Sequence, residues 1–150
     1  MINEENIIES VLESIYKKEL ILIKKFHRVK ENLYEILVAF PEYRRAISPA
    51  QHVSTNQISE VLLESLYCAS AYSINEGTLN IGISFDEFLA EGSNFILRNI
   101  NITCHKILVP YEEFTFTIEV IRSNIRMGFC IVLYRLDGFM KGSVKCIFKQ

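Results

Sequence analysis

The sequence predicts an α+β fold in which a curled antiparallel sheet wraps one long helix. Three observations predict it. Residues 51–77, QHVSTNQISEVLLESLYCASAYSINEG, carry apolar side chains around most of a helical circumference. Almost everything after them alternates with the two-residue period of β-strands. Two short β-rich runs precede them.

At 150 residues the chain suits one domain, 1–150, large enough to bury roughly 70% of its unfolded surface without a disulfide or cofactor. Hydrophobic residues make up 49% and charged ones 23%, which excludes disorder. A formal net charge of -2 argues against nucleic acid as a partner. The acidic start MINEENIIES is unlike a secretory signal and no apolar run is long enough to span a membrane, so the expectation is a cytoplasmic protein. Cys68, Cys104, Cys130 and Cys146 are far apart among apolar neighbours, which predicts four buried thiols and no metal site.

Taken in order, NIIESVLESIYKK spaces Ile7, Ile8, Val11, Leu12 and Ile15 as a short amphipathic helix. ELILIKKF (19–26) and LYEILVAF (33–40) read as strands, with Arg28-Val29-Lys30-Glu31-Asn32 as the hairpin loop and Pro41 as the stop. The central helix is expected over about residues 55–76, with Ser54 as N-cap, Gln57 in capping-box position and Gly77 as terminator. TLNIGISF (78–85), NINITCH and EEFTFTIEVIR alternate; the last sets Phe114, Phe116, Ile118 and Val120 opposite Thr115, Thr117 and Glu119. MGFCIVLYRL and FMKGSVKCIF meet at Asp137-Gly138, a tight-turn pair. Two strands, a buried helix and a meander of long strands follow the element order of the hot-dog fold.

On ELILIKKFHRVKENLYEILVAF, QHVSTNQISEVLLESLYCASAY and SNFILRNINITCHKILVPYEEFTFTIEV the chain resembles the FcoT-like thioesterase family of hot-dog proteins. The resemblance implies a homodimer, or a dimer of dimers, that hydrolyses fatty acyl thioesters of coenzyme A or acyl carrier protein in lipid metabolism. It also implies that Tyr16 stands at the family's first catalytic tyrosine and, given a longer loop before His52, Tyr43 at its second. Leu63 falls where the family's helix asparagine stands, with Glu64 beside it.

His52 and Glu64 lie 12 positions apart (64 − 52), an arrangement similar to hot-dog dehydratases, although the proline-glycine signature after the histidine is missing. A 3-hydroxyacyl-carrier dehydratase, which needs an acid and a base together, is therefore one alternative. An acyl-transferring relative and a non-catalytic acyl-binding protein are the others. For hydrolysis one carboxylate suffices: Glu64 activates water while amides of the helix's first turn polarise the carbonyl. The competing reading is that Glu60 and Glu64 simply form a solvated or subunit-facing stripe. Asn56, Gln57 and Glu60 are further candidate substrate contacts, and Arg122, Arg126, Lys141 and Lys145 could meet phosphates or an acidic carrier, though solubility also demands such residues. His105 is expected to be exposed and His27 to lack a partner.

Overall fold

The computed structural model describes residues 2–41, 53, 55–90, 95–106 and 108–149. Six strands, β1 (Ile23–Lys30), β2 (Leu33–Ala39), β3 (Phe95–Cys104), β4 (Glu113–Arg126), β5 (Phe129–Gly138) and β6 (Met140–Lys149), form one sheet in the order β1-β2-β4-β5-β6-β3. Every neighbouring pair is antiparallel. Helix α1 (Thr55–Asn75) lies against it, and a six-residue helix α2 (Phe85–Ala90) follows.

Ten successive residues of α1, Glu64 through Ser73, are buried. A helix enclosed on all sides must satisfy its polar groups internally. Ser65 donates to the Val61 carbonyl at 2.6 Å. Ser70 and Tyr134 of β5 share a 2.6 Å hydrogen bond, and Ser73 and Tyr34 of β2 share one of 2.5 Å. Two hydroxyl pairs thus tie the helix to separate strands and fix its rotation. Its C-terminus closes as predicted at Gly77: Gly77 N–H bonds the Ile74 carbonyl, Thr78 N–H bonds that of Ser73, and Gly77 takes φ +74°. Inward residues of β4, β5 and β6, among them Phe116, Ile118, Val132, Tyr134, Val144 and Cys146, complete the core.

Several expectations need correction. The first strand begins at Ile23, not Glu19, because Lys18–Leu20 form a 3-10 turn, and it continues through Arg28, Val29 and Lys30. The hairpin turn is only Glu31-Asn32, where Asn32 accepts φ +59° at small cost. Residues 78–85 form no strand. Leu79 and Ile81 are buried in alternation, but the backbone turns at Gly82, whose N–H the Asn80 side chain takes at 2.9 Å. Ser84 and Glu87 then exchange bonds at 2.7 and 3.2 Å as the capping box of α2. The opening helix is a single π-type turn, Ile8–Leu12, which buries Val11 and Leu12 and leaves Ile15 exposed. Cys68, Cys130 and Cys146 are buried, but Cys104 is exposed because β3 is a sheet edge with little cover on either face. His27 does have a partner, Glu4 at 2.7 Å; His105 is exposed as expected. No helix among the described residues is long and apolar enough to cross a membrane.

Candidate active site

The candidate geometry centres on Glu64, the one charged side chain buried in the core among the described residues, at 3% exposure. Its Oε2 accepts the backbone N–H groups of Leu22 at 2.9 Å and Ile23 at 3.1 Å. These amides belong to the extended entry into β1, directly after the 3-10 turn, so they are spent on a carboxyl rather than on a sheet ladder. Both bonds fall on one oxygen, and Oε1 has no hydrogen-bond partner among the described residues.

Burial pushes the Glu64 carboxyl from its ordinary 4.5 up to about 7; the two amides pull it down, and the Glu60 carboxylate one turn away pushes it further up. Desolvation outweighs both hydrogen bonds, so the group changes protonation near neutral pH. A cavity of about 200 Å³ opens beside it, lined by Tyr16, Leu20, Glu60, Leu63 and Glu64. Tyr16 is half-buried, and burial together with the Glu64 and Glu60 carboxylates raises its phenol, which keeps it a neutral donor. Cys68, one turn beyond Glu64, is fully enclosed and its thiol is raised far out of the reactive range.

The structure therefore brings Tyr16, Glu60 and Glu64 to one cavity and puts Leu63 on its wall. Gln57 is buried elsewhere: its Nε2 donates to the Pro41 carbonyl at 2.6 Å, tying the start of α1 to the end of β2. Asn56 is exposed and does not line the cavity. Tyr43, His52 and the N-cap Ser54 lie outside the described residues.

Within one chain Glu64 lies nine residues, roughly 13 Å at 1.5 Å per residue, beyond the start of α1, so a chain does not bring its own first amides directly to the Glu64 carboxyl. On the wall of the Glu64 cavity Tyr16 supplies a phenol donor. Sequence reasoning missed the Leu22 and Ile23 amides, because a backbone donor 41 or 42 residues away leaves no mark on residue type.

The candidate phosphate ligands divide. Arg122 and Arg126 join Lys145 around a groove on the other face of the sheet, whereas Lys141 stands apart, 3.5 Å from Asp137.

No protein-family model matches the chain, and no curated protein matches its sequence. Solved structures do. A mutant thioesterase from Pseudomonas aeruginosa aligns over 100% of this chain and 96% of its own, with TM-score 0.54 and 11% identity. A thioesterase superfamily protein from Shewanella loihica covers 90% and 96%, with TM-score 0.47 and 13% identity. An uncharacterized protein from Pyrococcus horikoshii covers 93% and 90%, with TM-score 0.49 and 12% identity. Sheet order, the enclosed helix and the match to the Pseudomonas structure together give this chain a hot-dog fold.

Proposed function

We propose that the chain is an acyl thioester hydrolase acting on fatty acyl groups carried by coenzyme A or acyl carrier protein, with Glu64 as general base and Tyr16 as hydrogen-bond donor. The observation that carries this reading is a buried carboxyl on a cavity wall, held through one oxygen and tuned to about 7. Glu64 takes a proton from water as its oxygen attacks the thioester carbonyl carbon. The Tyr16 phenol donates a hydrogen bond to the oxyanion that forms. Collapse breaks the carbon–sulfur bond, and the proton on Glu64 passes to the departing sulfur, leaving a carboxylic acid and a free thiol. No cofactor enters this sequence.

Within hot-dog proteins the FcoT-like resemblance receives support at Tyr16, which lines the cavity. Leu63, also on the wall, departs from it and leaves Glu64 to do the work proposed for the asparagine. A homodimer is part of the proposal: among the described residues β3 ends the sheet with one edge unpaired and with Ile96 and Ile100 exposed, a surface that a second copy would cover.

The test is thiol release from short, medium and long acyl-coenzyme A esters by the parent, Glu64→Gln and Tyr16→Phe. The reading expects release by the parent, a loss of roughly 10²- to 10⁴-fold in Glu64→Gln with the fold retained, and a smaller loss in Tyr16→Phe. Equal rates in parent and Glu64→Gln, or no release from any ester, would overturn it.

A further inference from the structure

On β5 and β6 the side chains of Cys130, Val132, Tyr134, Val144 and Cys146 are buried against the helix, and the residues between them face the other way. Ile131, Leu133 and Lys145 belong to that outer set, opposite the Glu64 cavity. There they meet the distal half of β4, where the register slips between Val120 and Arg122 and the strand runs on with Arg122 opposite Leu133 and Asn124 opposite Ile131. The result is a groove of about 420 Å³ lined by Arg122, Ser123, Asn124, Arg126, Ile131, Leu133 and Lys145.

Its charge is one-sided. Lys18, Arg28, Arg135 and Lys141 each face a carboxylate, namely Glu13, Glu76, Glu119 and Asp137. Arg122, Arg126 and Lys145 face none among the described residues, and no acidic side chain lines the groove. Three uncompensated cations converge here although the chain as a whole carries a net charge of -2. Each guanidinium presents paired N–H donors suited to phosphate oxygens, Ser123 and Asn124 add neutral polar groups, and Ile131 and Leu133 give an apolar floor. The volume lies in the range of small-molecule sites and is too small for a macromolecular footprint.

We infer that this outer groove, formed by Arg122, Arg126 and Lys145 over Ile131 and Leu133, binds a phosphate-bearing small molecule of nucleotide size. The cations hold the phosphates and the apolar floor takes the uncharged portion. The groove is separate from the Glu64 cavity, and only its coenzyme source rests on the reaction proposed there. Its phosphates have two possible sources, a free nucleotide or the coenzyme portion of a thioester.

Calorimetric titration of the full chain at low salt with ADP, coenzyme A, inorganic pyrophosphate and adenosine tests it. Saturable binding of the phosphate-bearing probes and none of adenosine is the expected result, with affinity falling as salt rises. The Arg122→Ala, Arg126→Ala double variant should bind about tenfold or more weakly, with an unchanged circular dichroism spectrum, and Lys18→Ala should bind like the parent. Binding of ADP assigns the site to free nucleotides; binding of coenzyme A without ADP assigns it to the thioester's own phosphates. No saturable binding of any phosphate probe would overturn the inference. Adenosine binding as tight as ADP, or binding untouched in the double variant, would do the same.

Discussion

The cavity beside helix α1 and the groove on the outer face of the sheet hold charge of opposite sign in opposite ways. On the helix side Glu64 is desolvated, bonded to two fixed amides and shifted toward neutrality. On the outer side Arg122, Arg126 and Lys145 are exposed to solvent, where salt screens them. A buried charge costs free energy that only a compensating environment offsets, whereas an exposed one costs almost nothing. On the two proposals above, the comparison teaches that desolvation suits the inner site to proton transfer and exposure suits the outer one to attraction. Conditions that change one should leave the other alone.

The largest expected effect is on chemistry. Hydrolysis by the parent should rise with pH as Glu64 deprotonates through about 7 and then level off, and Glu64→Gln should remove most of that activity. A pH–rate profile for kcat/KM over pH 5 to 9 checks this, and a profile flat across pH 7 would separate Glu64 from the reaction.

Next comes stability, where the sign follows from linkage. The folded carboxyl binds its proton more tightly than the unfolded one, so between pH 4.5 and about 7 the native state holds more protons. Stability therefore falls as pH rises through that window, by on the order of 3 kcal/mol once Glu64 is fully ionised. Glu64→Gln, which keeps an oxygen for the amides, should lack this fall; urea unfolding of both proteins at pH 5 and pH 8.5 measures the difference.

A smaller effect belongs to the hydroxyl pairs that seat the helix. Tyr134→Phe leaves the Ser70 hydroxyl without its sheet partner and should cost about 1–2 kcal/mol in denaturant unfolding. Smallest is the exposed Arg135–Glu119 pair: Arg135→Ala should change stability by less than about 1 kcal/mol.

Much of this fold was legible in the sequence, and particular residues show why. Helix α1 declared itself because its apolar residues cover the circumference, a pattern that only enclosure explains. Strand β4 was readable from the alternation of Phe114, Phe116, Ile118 and Val120 with Thr115, Thr117 and Glu119. Residues 78–85 misled for the same reason: Leu79 and Ile81 alternate because both pack on the core, and periodicity reports burial rather than strand pairing. The capping box at Ser84 and Glu87 was the signal that a helix begins there.

The site was half legible. A glutamate within a greasy helix marks itself as a candidate, and Tyr16 came from resemblance. What sequence could not supply is the environment that raises the Glu64 carboxyl to about 7, since backbone amides and burial are properties of the folded chain alone. The groove shows the converse: four cations were visible as candidates, yet only the β4 bulge and the ion pair of Lys141 with Asp137 decide which of them converge.

The central claim, that the fold holds Glu64 protonated to near neutrality, is tested most directly by following its side-chain carboxyl carbon through a pH titration by NMR, with Glu64→Gln to assign the resonance. The account predicts a midpoint of about 7. A midpoint near the ordinary 4.5 would contradict it and remove the physical basis for Glu64 as the base.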